Sequence, residues 1–106
     1  MSEIIELVKA AARIKLLFLP HAVRQMALPD RMITVNDVRN CIFPGEVIED
    51  YLDDACGRSC LMLGTADSGR PIHVVCAPRD GYLSIITAYQ PDPKEWDTDW
   101  KTSRPL

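Results

Sequence analysis

The tripeptide Phe43-Pro44-Gly45 separates two stretches of chain whose apolar residues recur with different periods. Before it they recur every three or four residues, as in helices with one buried stripe; after it they recur every second residue, as in strands with one covered face. Proline removes a backbone donor and glycine carries an entropic cost, so neither period runs through the junction. The 106 residues hold one core, since a fold of this size buries about two-thirds of its extended surface. Helices followed by strands define an α+β class, with N-terminal helices packed on one face of a mostly antiparallel four- to five-stranded sheet. Within that domain of residues 1–106, residues 1–13 read as an N-terminal helical extension, 14–90 as the core and 91–106 as a docking tail.

The helical part resolves into three segments. Residues 3–13 carry Ile4, Leu7, Val8, Ala11 and Ala12 on one stripe, with Ser2 available as N-cap. Residues 14–19 read as an extended lead-in, because the residue before Pro20 is driven toward extended geometry. Pro20 suits the first position of a second helix that turns Ala22, Val23, Met26 and Ala27 inward and His21, Arg24 and Gln25 away, ending at Pro29-Asp30. Thr34 opens the third, with Asp37 placed for a capping box and Val35, Val38, Cys41 and Ile42 as its buried stripe. Strands are expected at 46–52, 59–65, 70–77 and 82–89, and the short links between them favour antiparallel hairpins. The tail holds both tryptophans, Trp96 and Trp100, which implies that it docks on the domain or on a partner.

Composition removes several classes of protein. The apolar run 16–20 is too short for a bilayer, and Glu3 and Glu6 stand where a signal peptide needs basic residues, so a cytoplasmic protein without membrane contact is expected. Cys41, Cys56, Cys60 and Cys76 are then reduced thiols, and their spacing suits small buried hydrophobes better than zinc ligands. The net charge of -3 conceals opposed halves: residues 1–40 carry six basic and four acidic groups, residues 41–106 six basic and eleven acidic. A uniformly basic footprint is absent, so any RNA contact is local.

Chemistry near neutral pH is sought first at the two histidines. His21 lies in the first turn of its helix, where the dipole favours the neutral imidazole. His73 alternates with Ile72 and Val74 and faces the other way, either as an acid–base group or as a histidine hydrogen-bonded at a sheet surface. Arg70 and Arg31 are candidate phosphate clamps or ordinary surface charges. Tyr89, on the same strand face as Thr87, is a candidate donor at a site edge or a core boundary residue. The acidic run Glu46, Glu49, Asp50, Asp53 and Asp54 reads as a solvated edge that discourages strand pairing, because alternation sends Glu49 and Asp50 to opposite faces.

The words His21-Ala22-Val23-Arg24-Gln25-Met26, Arg31-Met32-Ile33-Thr34, Gly45-Glu46-Val47-Ile48-Glu49-Asp50-Tyr51, Arg70-Pro71-Ile72-His73-Val74-Val75 and Thr87-Ala88-Tyr89-Gln90-Pro91-Asp92-Pro93, in this order, resemble the bacterial domain-of-unknown-function family 4258. The resemblance runs over about residues 14–104 and implies a small bacterial α+β domain similar to RelE-like toxins, paired with a zinc-finger type antitoxin. It implies a metal-independent endoribonuclease acting on mRNA without cofactors, with His21 and His73 as base and acid, Arg70 and Arg31 on the phosphate, and Tyr89 as a positioning donor. A base would take the 2'-hydroxyl proton and an acid would protonate the 5'-oxygen. The rival expectation is a non-enzymatic protein-binding module, in which His21 and His73 are dispersed and separately satisfied. A metal-dependent hydrolase using both histidines and a carboxylate is the third.

Overall fold

The computed structural model describes residues 3–51 and 57–104. The cap expected of Ser2, the strand end at Leu52, and Asp53, Asp54 and Cys56 lie outside the described residues. The elements in chain order are α1 (Glu3–Ile14), β1 (Leu16–Phe18), α2 (Pro20–Met26), α3 (Val35–Ile42), β2 (Glu46–Tyr51), β3 (Ser59–Thr65), β4 (Pro71–Arg79) and β5 (Tyr82–Tyr89). The sheet order is β1-β5-β4-β3-β2, antiparallel throughout except that β1 runs parallel to β5. The class is α+β, as the change of period at residues 43–45 predicts.

The helices and one face of the sheet close the core. Ile4, Val8, Ala11 and Ala12 of α1 pack with Val38, Cys41 and Ile42 of α3 and with Cys60, Met62, Ile72, Val74, Cys76, Leu83 and Ile85 from the strands. Alternation along β3, β4 and β5 aims those strand residues at the helices. The N-terminal helix therefore shares the core of the rest. The expected stripes are narrower than drawn: on α2 only Ala22 and Met26 are buried, while Val23, Ala27, Leu7 of α1 and Val35 of α3 stay exposed. A helix of seven residues lying over β5 buries one line of side chains, and Val23 and Ala27 lie about 100° round from it.

Local chemistry fixes several boundaries. Thr34 caps α3 through a reciprocal pair, its Oγ1 accepting from the Asp37 amide and the Asp37 carboxylate accepting from the Thr34 amide, both at 3.0 Å. β4 runs two residues beyond the expected 70–77, so Pro78 and Arg79 are strand and the turn is Asp80-Gly81, with Gly81 at φ +88°. α3 meets β3 at Gly64 with almost no side chain between them. A Cβ there would collide with the Cys41 Cα and lie 2.8 Å from the Asn40 carbonyl oxygen.

Cys41, Cys60 and Cys76 are buried free thiols, as the small-hydrophobe reading expects. Burial first, and the Asp37 charge second, push the Cys41 thiol up to about 12. Because the thiolate is the nucleophile, iodoacetamide at pH 8 is expected to modify Cys41 about 10³-fold more slowly than an ordinary thiol. Peptide mass mapping before and after denaturation checks this, and fast native labelling would contradict the packing.

Candidate functional site

The sheet face opposite the helices carries most of the polar candidates. Cross-strand register aligns Glu46, Leu63, His73 and Tyr89 in one row and Glu49, Leu61, Val75 and Thr87 in the next. Strict alternation would put Glu46 and Glu49 on opposite faces. A bulge between Val47 and Glu49 inserts Ile48 and returns both carboxylates to the His73 side. β2 is also an outer strand, and its acidic run lies along that edge.

Over the Glu46 to Tyr89 row lies the C-terminal tail. A turn from Asp92 to Trp96 and a bridge between Trp96 and Ser103 fold it back on itself, and Arg104 Nε donates to the carbonyls of Pro93 and Trp96 at 2.8 and 2.9 Å. Lys101 reaches Glu46 at 2.7 Å. Trp96 is buried edge-on to the His73 ring, with centroids 4.5 Å apart and planes at 90°. Both indoles were expected to dock, and the domain itself receives Trp96.

His73 is fully buried beneath this tail. Its Nε2 stands 2.8 Å from the Trp100 carbonyl oxygen and its Nδ1 3.3 Å from the Tyr89 hydroxyl. A carbonyl only accepts, so Nε2 carries the proton; in the neutral ring Nδ1 is then an acceptor and the Tyr89 hydroxyl donates to it. Burial holds the imidazole below its ordinary value, against opposing effects of the Trp100 carbonyl and the Glu49 charge. At neutral pH the ring is uncharged with both nitrogens occupied. Tyr89 is half-buried, and burial together with Glu49 and Glu95 raises its hydroxyl while Arg31 acts in the opposite sense. Tyr51 donates to Glu49, and burial pushes its own hydroxyl up as well.

The remaining candidates are elsewhere. Arg70 turns its guanidinium onto the loop between α2 and α3, donating to the carbonyls of Arg31 and Met32 and pairing with Asp37 at 3.7 Å. That loop contains Met32 in the left-handed region at φ 43°, a costly conformation for a residue with a Cβ, and Arg70 secures it. Arg70→Ala should cost about 2 kcal/mol, from two lost charge-assisted bonds and a partly buried partner left alone. Arg70→Lys should recover less than half, because a point charge cannot span two carbonyls. Urea unfolding of both variants checks this; an alanine variant as stable as the parent would remove Arg70 from that role.

His21 lies exposed in the first turn of α2. Arg31 is half-buried within electrostatic reach of Tyr89. Thus His73 and Tyr89 meet and the charge of Arg31 acts on Tyr89 from a distance, whereas Arg70 serves the loop. Reading from sequence missed two participants, Glu49 and the Trp100 carbonyl. The pair of tryptophans was the available signal for the second; for Glu49 there was none, because a bulge decides its face.

A helix-on-sheet domain with a tail strapped over the open face is the class of protein that these features define. Residues 18–90 match the family described as a domain of unknown function (DUF4258), and the chain belongs to that family. The match begins inside β1 and ends just after Tyr89, so α1 and the tail lie beyond it. Among curated proteins and among solved structures, nothing matches the chain.

Proposed function

We propose that this chain is a non-enzymatic protein-binding module. The observation that carries the reading is His73, which is buried, neutral and bonded through both ring nitrogens. A general acid or base has to come within hydrogen-bond reach of its substrate, and this ring is covered by Trp96 and Trp100. Of the charges that act on Tyr89, the carboxylates Glu49 and Glu95 oppose the guanidinium of Arg31, a balance that disfavours phosphate. Exposed cations are carried instead by the helical half of the chain, at Arg13, Lys15, Arg24 and Arg39. A macromolecule with acidic groups is the partner such a surface suits. A zinc-finger type antitoxin, the partner implied by the resemblance, is compatible with it.

The toxin-type endoribonuclease has one observation in its favour, the half-buried Arg31 within electrostatic reach of the Tyr89 hydroxyl. Cleavage would then run on His21, Arg31 and Tyr89, without His73 or Arg70. Expression of the wild type and of a His21→Ala/Arg31→Ala variant in bacteria, with growth and transcript integrity followed, tests the choice. Intact transcripts in both are expected. Cleavage by the wild type that disappears in the variant would overturn the module reading.

A further inference from the structure

The two outer strands of the sheet differ. β2 carries Glu46, Glu49 and Asp50 and a bulge, and Lys101 of the tail is clamped to it, all features that discourage a further strand. β1 carries none of them: Leu16-Leu17-Phe18 is apolar, straight and paired on one side only. The Lys15 carbonyl accepts from the Leu83 amide at 2.8 Å, and the Leu19 amide donates to the Ile85 carbonyl at 3.1 Å. In a parallel ladder alternate residues address the same neighbour, so 15, 17 and 19 face β5 while the N–H and C=O groups of Leu16 and Phe18 point outward. α2 packs over β5, and among the described residues no strand pairs with the outer side of β1.

Beside the edge is an apolar groove of about 330 Å³ between α2 and α3, lined by Phe18, Val23, Met26, Ala27, Ile33 and Val35. Val23 and Val35 are 52% and 47% exposed there, and Leu17 is 38% exposed on the other face of the strand. Val23 and Val35 are residues that the amphipathic pattern assigned to the core and the fold left outside. A strand added to β1 would direct alternate side chains into the groove and onto Leu17. Lys15 and Arg24, at either end of this segment, are exposed and in no ion pair among the described residues. Between residues 14 and 36 the acid Asp30 stands against Lys15, Arg24 and Arg31.

We infer that β1 is a docking edge that receives an extended aliphatic and acidic segment of a partner protein as a sixth strand. This rests on the reading of the chain as a binding module and names the surface through which it binds. Charge selects this occupant over a second copy of the chain, since two β1 edges pairing about a two-fold axis run antiparallel and would bring the Lys15 end of each copy toward the end of the other that leads to Arg24.

The test uses the whole chain and two labelled peptides of about eight residues, one alternating valine with glutamate and one alternating valine with lysine. The glutamate peptide is expected to bind and to slow hydrogen exchange at the Leu16 and Phe18 amides. The Lys15→Glu/Arg24→Glu variant, both positions being exposed, should keep its circular dichroism spectrum, bind that peptide at least about tenfold more weakly and gain affinity for the lysine peptide. Protection of other amides with Leu16 and Phe18 unchanged would overturn the assignment to β1 and leave the module reading standing. Protection of Leu16 and Phe18 that grows with protein concentration alone would assign the edge to a second copy and overturn it. Failure to bind either peptide, joined with transcript cleavage in cells, would overturn both readings.

Discussion

Replacing His73 by alanine is expected to destabilise the protein by about 3 kcal/mol or more and to release the tail from the sheet. The ring fills a fully enclosed site, stacks edge-on against Trp96 and Tyr89, and satisfies the Trp100 carbonyl and the Tyr89 hydroxyl. Truncation opens a cavity and leaves two polar groups without partners, which costs more than the hydrogen bonds themselves contribute. Tryptophan emission should shift to the red as Trp96 enters water, and proteases should cut within residues 92–104. His73→Gln keeps a donor for Trp100 and an acceptor for Tyr89 on one amide but lacks the ring that packs on Trp96, so it should recover part of the loss. An alanine variant within about 1 kcal/mol of the parent and with unshifted emission would mean that the tail docks without His73.

The same residue sets a pH dependence. Burial lowers the folded-state value of His73 below its ordinary 6.5. The unfolded chain therefore binds the proton more readily, and stability from this group is fully present above about pH 6.5 and lost as the pH falls toward the folded value. Protonation also converts Nδ1 from acceptor to donor, so the Tyr89 hydroxyl must turn round to keep a bond. Urea unfolding from pH 7 to pH 5 should show a decline that His73→Gln lacks. Equal slopes in the two proteins would assign the decline to other groups.

The second large effect is expected at Gly64. A methyl group there meets the Cys41 Cα and the Asn40 carbonyl, and both belong to the backbone of α3, which cannot step aside by changing rotamer. Gly64→Ala should cost about 3 kcal/mol and Gly64→Val should prevent folding, at the upper end of what overpacking does. Gly69, at φ +89° with open space around it, is the control: alanine there pays for backbone strain alone, about 1 kcal/mol. Thermal unfolding of the three variants measures the difference. A Gly64→Ala protein as stable as Gly69→Ala would show that α3 shifts freely on β3.

The Gly64 effect concerns the contact between the halves that the sequence separates at residues 43–45, and the His73 effect the contact of the tail with the sheet. Legible in the chain were the elements whose signals are local. The Thr34 and Asp37 capping box, Pro20 at a helix start and the links between β3 and β4 and between β4 and β5 each depend on neighbours within a few residues. The strand bounds at Ser59–Thr65 and Tyr82–Tyr89 follow from alternation alone. Among the candidate site residues, the direction in which His73 faces was legible for the same reason.

Its burial was not, because that depends on a tail 27 residues away in sequence folding back to bring the Trp100 carbonyl onto its ring. Nor was the engagement of Arg70 with carbonyls 38 and 39 residues earlier. The face taken by Glu49 turned on one bulge, and the exposure of Val23 and Val35 on how little of a short helix the sheet covers. By itself the sequence determined the class of fold, the order of its elements and the opposed charges of its halves, since periodicity, capping and charge are properties of short stretches. Only the tertiary structure decided which polar groups are sealed and which edge stays open. Burial and strand pairing are relations between distant segments, and the same histidine or apolar strand has a different chemistry according to what covers it.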